Sequence, residues 1–291
     1  MTADWWTWRD PWELRLQRAA LAALVYASFR AEPRFSAQPF PVGIAGWVDF
    51  SFLSAPAAWP WTDIALLAAL ACYVAGRAMP MATAAMAGLY IGAGALAYSQ
   101  GSLQHRTQLL GLVLLGQFGA YVLAALRRRP AASGDALATL FSVEIIAAAY
   151  VLAGLMKVAL SRGQWLAQVP MVVIDIAKAH GQAACTTGDT GLVARADGIA
   201  GTILAHPNLT RVLFAPAVLF ELAAGLAPFG RMAAAIAGLC LLAMHRGIDT
   251  IMGLRFWEHE VLLLIYFVNA PYLLLRLLHA VGLVEVPRAA R

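Results

Sequence analysis

The sequence predicts an all-α integral membrane protein, a polytopic helical bundle of about eight transmembrane helices, and three observations carry the prediction. Hydrophobic residues make up 61% of the chain and charged residues 13%, with a mean hydropathy of +0.70. Soluble domains hold roughly 45–50% and 25%, so no water-soluble fold could hide this much apolar surface. The apolar residues also come in long runs, at 64–74, 81–98, 109–126, 145–155, 212–226, 232–244 and 261–278. Each lies in a stretch close to spanning length. Finally, Arg127, Arg128 and Arg129 follow one of these runs directly, as basic residues do on the cytoplasmic side of membrane helices.

In chain order, residues 1–14 carry Trp5, Trp6, Trp8 and Trp12 among Asp4, Arg9, Asp10 and Glu13. They lack the basic start and small-residue cleavage site of a secretory signal. They read as an uncleaved segment lying in the interface, where indole rings prefer to sit. Expected spans follow at 15–30, 62–78, 80–99, 105–126, 136–159, 209–226, 230–246 and 256–278; the first is short and is expected to tilt or to be partly buried. The connections 31–61 and 160–208 are rich in Pro, Gly and aromatic residues. The second holds amphipathic pieces, 172–179 and 192–204, so interfacial or re-entrant helices are expected in these two connections. The whole of 1–291 is expected to form a single transmembrane domain, with 160–208 as an outer-face connection.

Placing the Arg127–Arg129 cluster inside puts both termini in the cytoplasm. Arg77, Arg231, Arg288 and Arg291 agree, and Arg30, Arg34, Arg162 and Arg195 fall in long outer connections where the rule is weak. The net charge of +5 comes almost wholly from arginine, with Lys157 and Lys178 the only lysines; nucleic-acid binding is not expected. Cys72, Cys185 and Cys240 show no pairing or metal-ligand spacing and are expected to be packing residues. There is no phosphate-binding loop and no G-x-S-x-G elbow, which leaves kinases, ATPases and serine hydrolases without support.

The expected topology sorts the ionisable residues, because a charge within a span is costly and marks a functional candidate. His105 and Arg106 open the fourth span, Lys157 closes the fifth, His245 and Arg246 close the seventh, and Glu258, His259 and Glu260 open the eighth. Four helices thus bring titratable groups to one face, the outer one. A lysine walled by Gly154, Leu155, Met156, Val158, Ala159 and Leu160 is expected to be desolvated, and a neutral amine there is suited to act as a base. The bland alternative is a lysine snorkelling to the interface, and for His105 and His245 a histidine bonded to a helix end. Residues 258 to 260 diverge around a helix and cannot all converge on one ion, so no metal is assigned. Glu144 and Glu221 lie well inside spans, where each is expected to be protonated or paired. Glu144 precedes Lys157 by about 20 Å of helix, as a structural or separate relay element.

The segment Tyr150-Val-Leu-Ala-Gly-Leu-Met-Lys157, followed by Trp165, resembles the Y-x-x-A-G-x-x-K pattern of vitamin K-dependent gamma-carboxylases and their bacterial relatives, the HTTM proteins. Gln104-His105-Arg-Thr-Gln-Leu-Leu-Gly111 is similar to that family's Asn-His segment. Leu219-Phe220-Glu221-Leu222, Met244-His245 and Arg18 match looser patterns in its penultimate and first helices. The likeness spans about Arg15 to Tyr272. It departs where the Asn-His pair is Gln104-His105 and the Lys-Lys pair is Met156-Lys157. The sequence also ends near Arg291, where the animal enzyme continues into a lumenal β-rich region that helps hold its protein substrate.

The resemblance implies a bacterial inner-membrane enzyme that couples O2-dependent epoxidation of a reduced quinone, of the vitamin K or menaquinone hydroquinone type, to base-driven modification such as addition of CO2. Lys157 takes the place of the base that deprotonates the reduced quinone and His105 that of the family's histidine, an orienting hydrogen-bond partner. Tyr150, Trp165, His245, Arg246, Glu258 and His259 are candidates for holding the quinone or substrate, and Arg18, Glu144 and Glu221 are expected to be structural polar residues. The partners implied are the lipid bilayer, an isoprenoid quinol and a peptide or partner protein. Two alternatives stand beside this reading. One is a non-catalytic carrier or lipid- or partner-binding scaffold, and the other a quinone-linked redox protein with a metal at the His245 to Glu260 corner.

Overall fold

The structure is a computed structural model that describes residues 11–31, 43–98 and 105–283, without the side chains of His105 and Arg106. The expectations for Trp5, Trp6, Trp8, Gln104, Arg288 and Arg291, and for the side chain of His105, lie outside the described residues. Within them all regular structure is helical. The helices are α1 (Pro11–Ala31), α2 (Trp59–Val74), α3 (Met79–Tyr98), α4 (His105–Leu126), α5 (Ala131–Leu160), α6 (Val173–Thr187), α7 (Gly191–Ala205), α8 (Pro207–Ala223), α9 (Arg231–Met252), α10 (Trp257–Tyr266) and α11 (Ala270–Ala280). Six of them, α2, α3, α4, α5, α8 with its following turn, and α9, are long and apolar enough to cross a membrane. A seventh span exists if α10 and α11 count as one.

The expected eighth span, 256–278, is broken: α10 and α11 meet at a 54° bend. Two neighbouring residues cause it. Pro271 lacks a backbone donor and cannot continue a helix from behind, and Asn269 adopts a left-handed conformation with φ of 55°. The Asn269 side chain caps the new helix by accepting from the Tyr272 amide. The expected first span is a helix, but Glu13, Arg15, Arg18 and Arg30 keep α1 out of the spanning pattern.

By its internal contacts the chain, read from the sequence as one domain, divides into two compact units, Met1–Ile146 with Val261–Arg291, and Ala147–Glu260. In the first unit, polar side chains set the packing. Asn269 accepts from Gln17 (3.1 Å) and donates to Glu13 (2.7 Å), so the break before α11 is filled by α1. Gln117 of α4 accepts from Tyr73 of α2 (2.7 Å) and donates to Ser142 of α5 (3.0 Å) and Tyr266 of α10 (2.6 Å). Arg18 pairs with Asp135, which also accepts from Tyr121 (3.0 Å). The 43–58 stretch forms three short 3-10 turns in place of the expected interfacial helix, and Phe50 and Leu53 close on Gly92 of α3. Trp47 and Phe52 remain exposed there.

In the second unit, α6 and α7 form a hairpin whose apolar faces, with Ile176, Ala196 and Ile203, pack on Met252 at the end of α9. Gly253 ends α9 with φ of 68°, and a Cβ there would lie 3.1 Å from the buried His180 ring. The hairpin helices do not meet the spanning criteria, in line with their amphipathic sequence. Two cysteines depart from the buried packing role expected of them. Cys72 and Cys185 are exposed, because each falls on the outward face of its helix, and all three are free thiols.

Replacing Gln117 by leucine removes the amide that three hydroxyls share and leaves Tyr73, Ser142 and Tyr266 to find other partners. Gln117→Leu is expected to lower stability by roughly 1–3 kcal/mol, measured as a loss of thermal midpoint in detergent. Gln117→Glu, which loses the amide donor and buries a carboxyl, is expected to lose at least as much.

Candidate functional site

Tyr150, Gly154 and Lys157 sit at positions i, i+4 and i+7 of α5 and therefore share one face of the helix. Each makes a different contact on that face. The Tyr150 hydroxyl is 2.6 Å from Nε2 of His245 on α9. At Gly154 a Cβ would lie 3.2 Å from the Cβ of Glu221 and from Leu222, so the missing side chain is what lets α8 approach α5. One turn further on, the Lys157 ammonium pairs with the Glu221 carboxylate. Gly225, just past α8, repeats the device, since its Cβ would lie 3.1 Å from Val151.

Lys157 differs from the desolvated, walled-in amine expected of it. Its side chain is 34% exposed and bonded to Glu221, whose own side chain is 5% exposed. The reason is helical geometry: neighbours in sequence point in different directions, and Leu155, Met156, Val158 and Leu160 are exposed around the helix and do not enclose the amine. Trp165 lies 6.0 Å away by its ring centroid, at the outer limit of a cation–π contact. Lys157 thus has a buried carboxylate on one side and an apolar, membrane-accessible surface on the other.

The His245 ring is enclosed by aromatic neighbours, with centroids at 5.7 Å for Tyr150, 5.3 Å for Phe256 and 5.8 Å for His259. His259 also meets Phe256 edge-on at 5.6 Å. The next residue, Glu260, turns the other way and pairs with the exposed Arg246 at 2.6 Å. Glu258 is buried. Lys157 lies within electrostatic reach of His245, and Glu221 and Glu260 within reach of Tyr150, so these groups form one connected network. Four buried atoms in it have no hydrogen-bond partner among the described residues: Glu221 Oε2, His245 Nδ1, His259 Nδ1 and Glu260 Oε1. Buried polar atoms are nearly always satisfied, so each of these is open to an external hydrogen-bonding group.

The expectations separate on this geometry. Tyr150, Lys157, Trp165, Glu221, His245, Arg246, Glu258 and His259 fall into the second unit, where Lys157 meets Glu221 and Trp165, Tyr150 meets His245 and His259, and Arg246 meets Glu260. Arg18 belongs to the first unit, with Asp135. His105 opens α4 in the first unit. Glu144, expected to be held as a structural polar residue inside its span, lies on the exposed face of α5. The buried face of that helix runs through Thr139, Ser142, Val143, Ile146 and Tyr150, and Glu144 stands a third of a turn away from it. Among the described residues no group of three or more His, Cys, Asp or Glu is arranged to hold a metal ion.

The sequence reading missed Asp135, Gln117, Tyr73, Tyr121, Tyr266 and Asn269. The signal available was the set of tyrosines within apolar runs, each of which needs a partner when buried. All of the missed residues except Asn269 line a cleft of about 10 Å³ with Arg18 and Gln17. That is below the ~300–1,000 Å³ of most small-molecule sites, and its ion pair and amide are internally bonded. It is a structural network.

No family model matches the chain, and no curated protein or solved structure matches it.

The α5–α8 contact has a steric and an electrostatic part that substitution separates. Gly154→Val is expected to cost about 1–3 kcal/mol through overpacking, and Gly154→Ala less. Lys157→Met leaves the buried Glu221 carboxylate alone and is expected to cost roughly 2 kcal/mol, below the ~3–5 of a fully buried pair because the lysine is partly exposed. Lys157→Met with Glu221→Leu is expected to recover most of that loss. Thermal unfolding of the four variants in one detergent checks the ordering.

Proposed function

We propose that this chain is a membrane enzyme of the vitamin K-dependent gamma-carboxylase-like class, acting on a reduced isoprenoid quinone with Lys157 as its base. The supporting observation is that Tyr150, Gly154 and Lys157, the residues that carry the resemblance, occupy one face of α5 and each engage the α8–α9 side of the same unit. The amine they position is reachable from the apolar surface and borders buried polar atoms without partners. A quinol head carries two hydroxyl donors, which suits an acceptor such as Glu221 Oε2.

A bound reduced quinone would supply, with O2, the oxidation to epoxide and water that drives proton removal from a second substrate, to which CO2 adds. The chain's own part is to bind and to move protons. Lys157 takes the quinol hydroxyl proton, Tyr150 fixes the His245 ring by its hydrogen bond, and the aromatic walls of Phe256 and His259 exclude water. Trp165 flanks the amine. His105 is assigned an orienting role by the resemblance alone. In this reading α1 and the α10–α11 pair complete eight spans. The chain lies in a bacterial inner membrane with both termini cytoplasmic and the site at the outer face, and a peptide or partner protein is the coupled substrate.

A second reading has one observation in its favour: the Lys157–Glu221 pair joins α5 to α8, a structural task that a non-catalytic carrier or scaffold would also need. Lys157→Arg separates the two, because arginine keeps the ion pair and cannot serve as a base. Protein in nanodiscs is given a reduced menaquinone analogue and oxygen, and quinone products are measured by mass spectrometry. The wild type is expected to form epoxide and Lys157→Arg to lose at least about 100-fold while keeping its fold. Epoxide from Lys157→Arg at the wild-type rate would remove Lys157 from the chemistry; no epoxide from folded wild type would favour the carrier or scaffold.

A further inference from the structure

We propose that Glu221 is the positioning residue that makes Lys157 a base, by holding the proton the amine must shed before it can accept one. This deepens the quinol reading and rests on it. Lys157 and Glu221 are joined by a hydrogen bond, so a proton passes between them without any movement of the helices. Glu221 is 4% exposed. With an ammonium beside it the carboxylate is a buried charge, next to an amine that is 34% exposed, and the neutral pair of amine and carboxylic acid carries no buried charge.

The alternatives for this role fail on geometry. Glu260 is bonded to Arg246, whose guanidinium does not exchange a proton with it. Glu144 lies on the exposed face of α5, about 20 Å of helix from Lys157. His245 is within electrostatic reach of the amine, but its Nε2 is committed to Tyr150. Glu221 Oε2 has no hydrogen-bond partner among the described residues. Protonation of the carboxyl therefore breaks no bond except the one to Lys157, which it remakes with the donor and acceptor exchanged.

The protons balance as follows. At rest the pair shares one proton beyond the neutral amine and the carboxylate. With that proton on Glu221, the Lys157 lone pair takes the hydrogen of a hydroxyl, whose O–H bond breaks and leaves its electron pair on oxygen. The pair then holds two protons, as ammonium and carboxylic acid with one positive charge, beside one oxyanion. The transfer itself creates no net charge, with or without the carboxyl; what Glu221 adds is a bonded acceptor for the proton that the amine would otherwise carry.

Infrared difference spectroscopy of the full chain in nanodiscs tests this, with a short-chain reduced naphthoquinone added without oxygen. A carboxylic-acid C=O band that is absent from Glu221→Gln, together with naphtholate bands absent from Lys157→Arg, is the expected result. In turnover with oxygen, Glu221→Gln is expected to lose about 100-fold or more, and Glu221→Asp to recover part of it. Thermal midpoints show whether each variant is folded. Naphtholate without any Glu221 acid band would overturn the proposal and leave the quinol reading standing. A Glu221 acid band in resting protein that binds no quinol would support the proton-holding pair and sink the quinol reading. Full turnover by a folded Glu221→Gln, or neither band, would also overturn the proposal.

Discussion

Polar side chains within apolar helices have no water to return to, and each must find its partner on another helix or at a bend in the backbone. That requirement explains which helices touch. Gln117 has more hydrogen-bonding capacity than any single neighbour can meet, and it gathers Tyr73, Ser142 and Tyr266 from α2, α5 and α10. Asn269 stands where a helix stops and restarts, and the groups freed there draw in Glu13 and Gln17 of α1. Helix α1 is too charged to be an ordinary span because its polar residues serve as partners for these interior positions.

The same requirement shapes the second unit with a different outcome. Lys157 and Glu221 satisfy each other, and Arg246 and Glu260 do likewise, yet each acidic partner keeps one buried oxygen without a hydrogen bond, as His245 and His259 each keep one nitrogen. The Gln117 and Asn269 networks of the first unit bond within themselves, whereas the second unit leaves polar atoms open beside an amine. The proposed chemistry is assigned to the second unit on that contrast.

How far the sequence reveals this depends on the kind of residue. Long apolar runs identify α2 to α5, α8 and α9 because span length is a one-dimensional property. Lys157, Glu221 and His245 stand out because charge and histidine are rare in such runs, and Tyr150 only through its spacing to Lys157. Gln117 and Asp135 do not. The first is uncharged, and the second sits six residues after the basic turn at Arg127–Arg129, where a carboxylate looks like ordinary interfacial charge. The break at Asn269 is hidden because Ala270 and Pro271 lie within an apolar stretch, and hydropathy does not register a left-handed φ. Glu144 shows the remaining limit. Depth along a helix is legible from sequence, but which way a side chain faces depends on the neighbours of the whole helix.

The Tyr150, Gly154 and Lys157 alignment has a consequence for length. An α-helix turns by about 100° per residue, so one residue inserted between Tyr150 and Lys157 would rotate the lysine a quarter-turn or more from Glu221 while the tyrosine kept its histidine. Outward positions such as Leu152 and Leu155 are free to change identity, since any apolar side chain meets lipid equally well. The spacing is not. This stretch of α5 behaves as a ruler, tolerant in its lettering and intolerant of an added or missing mark.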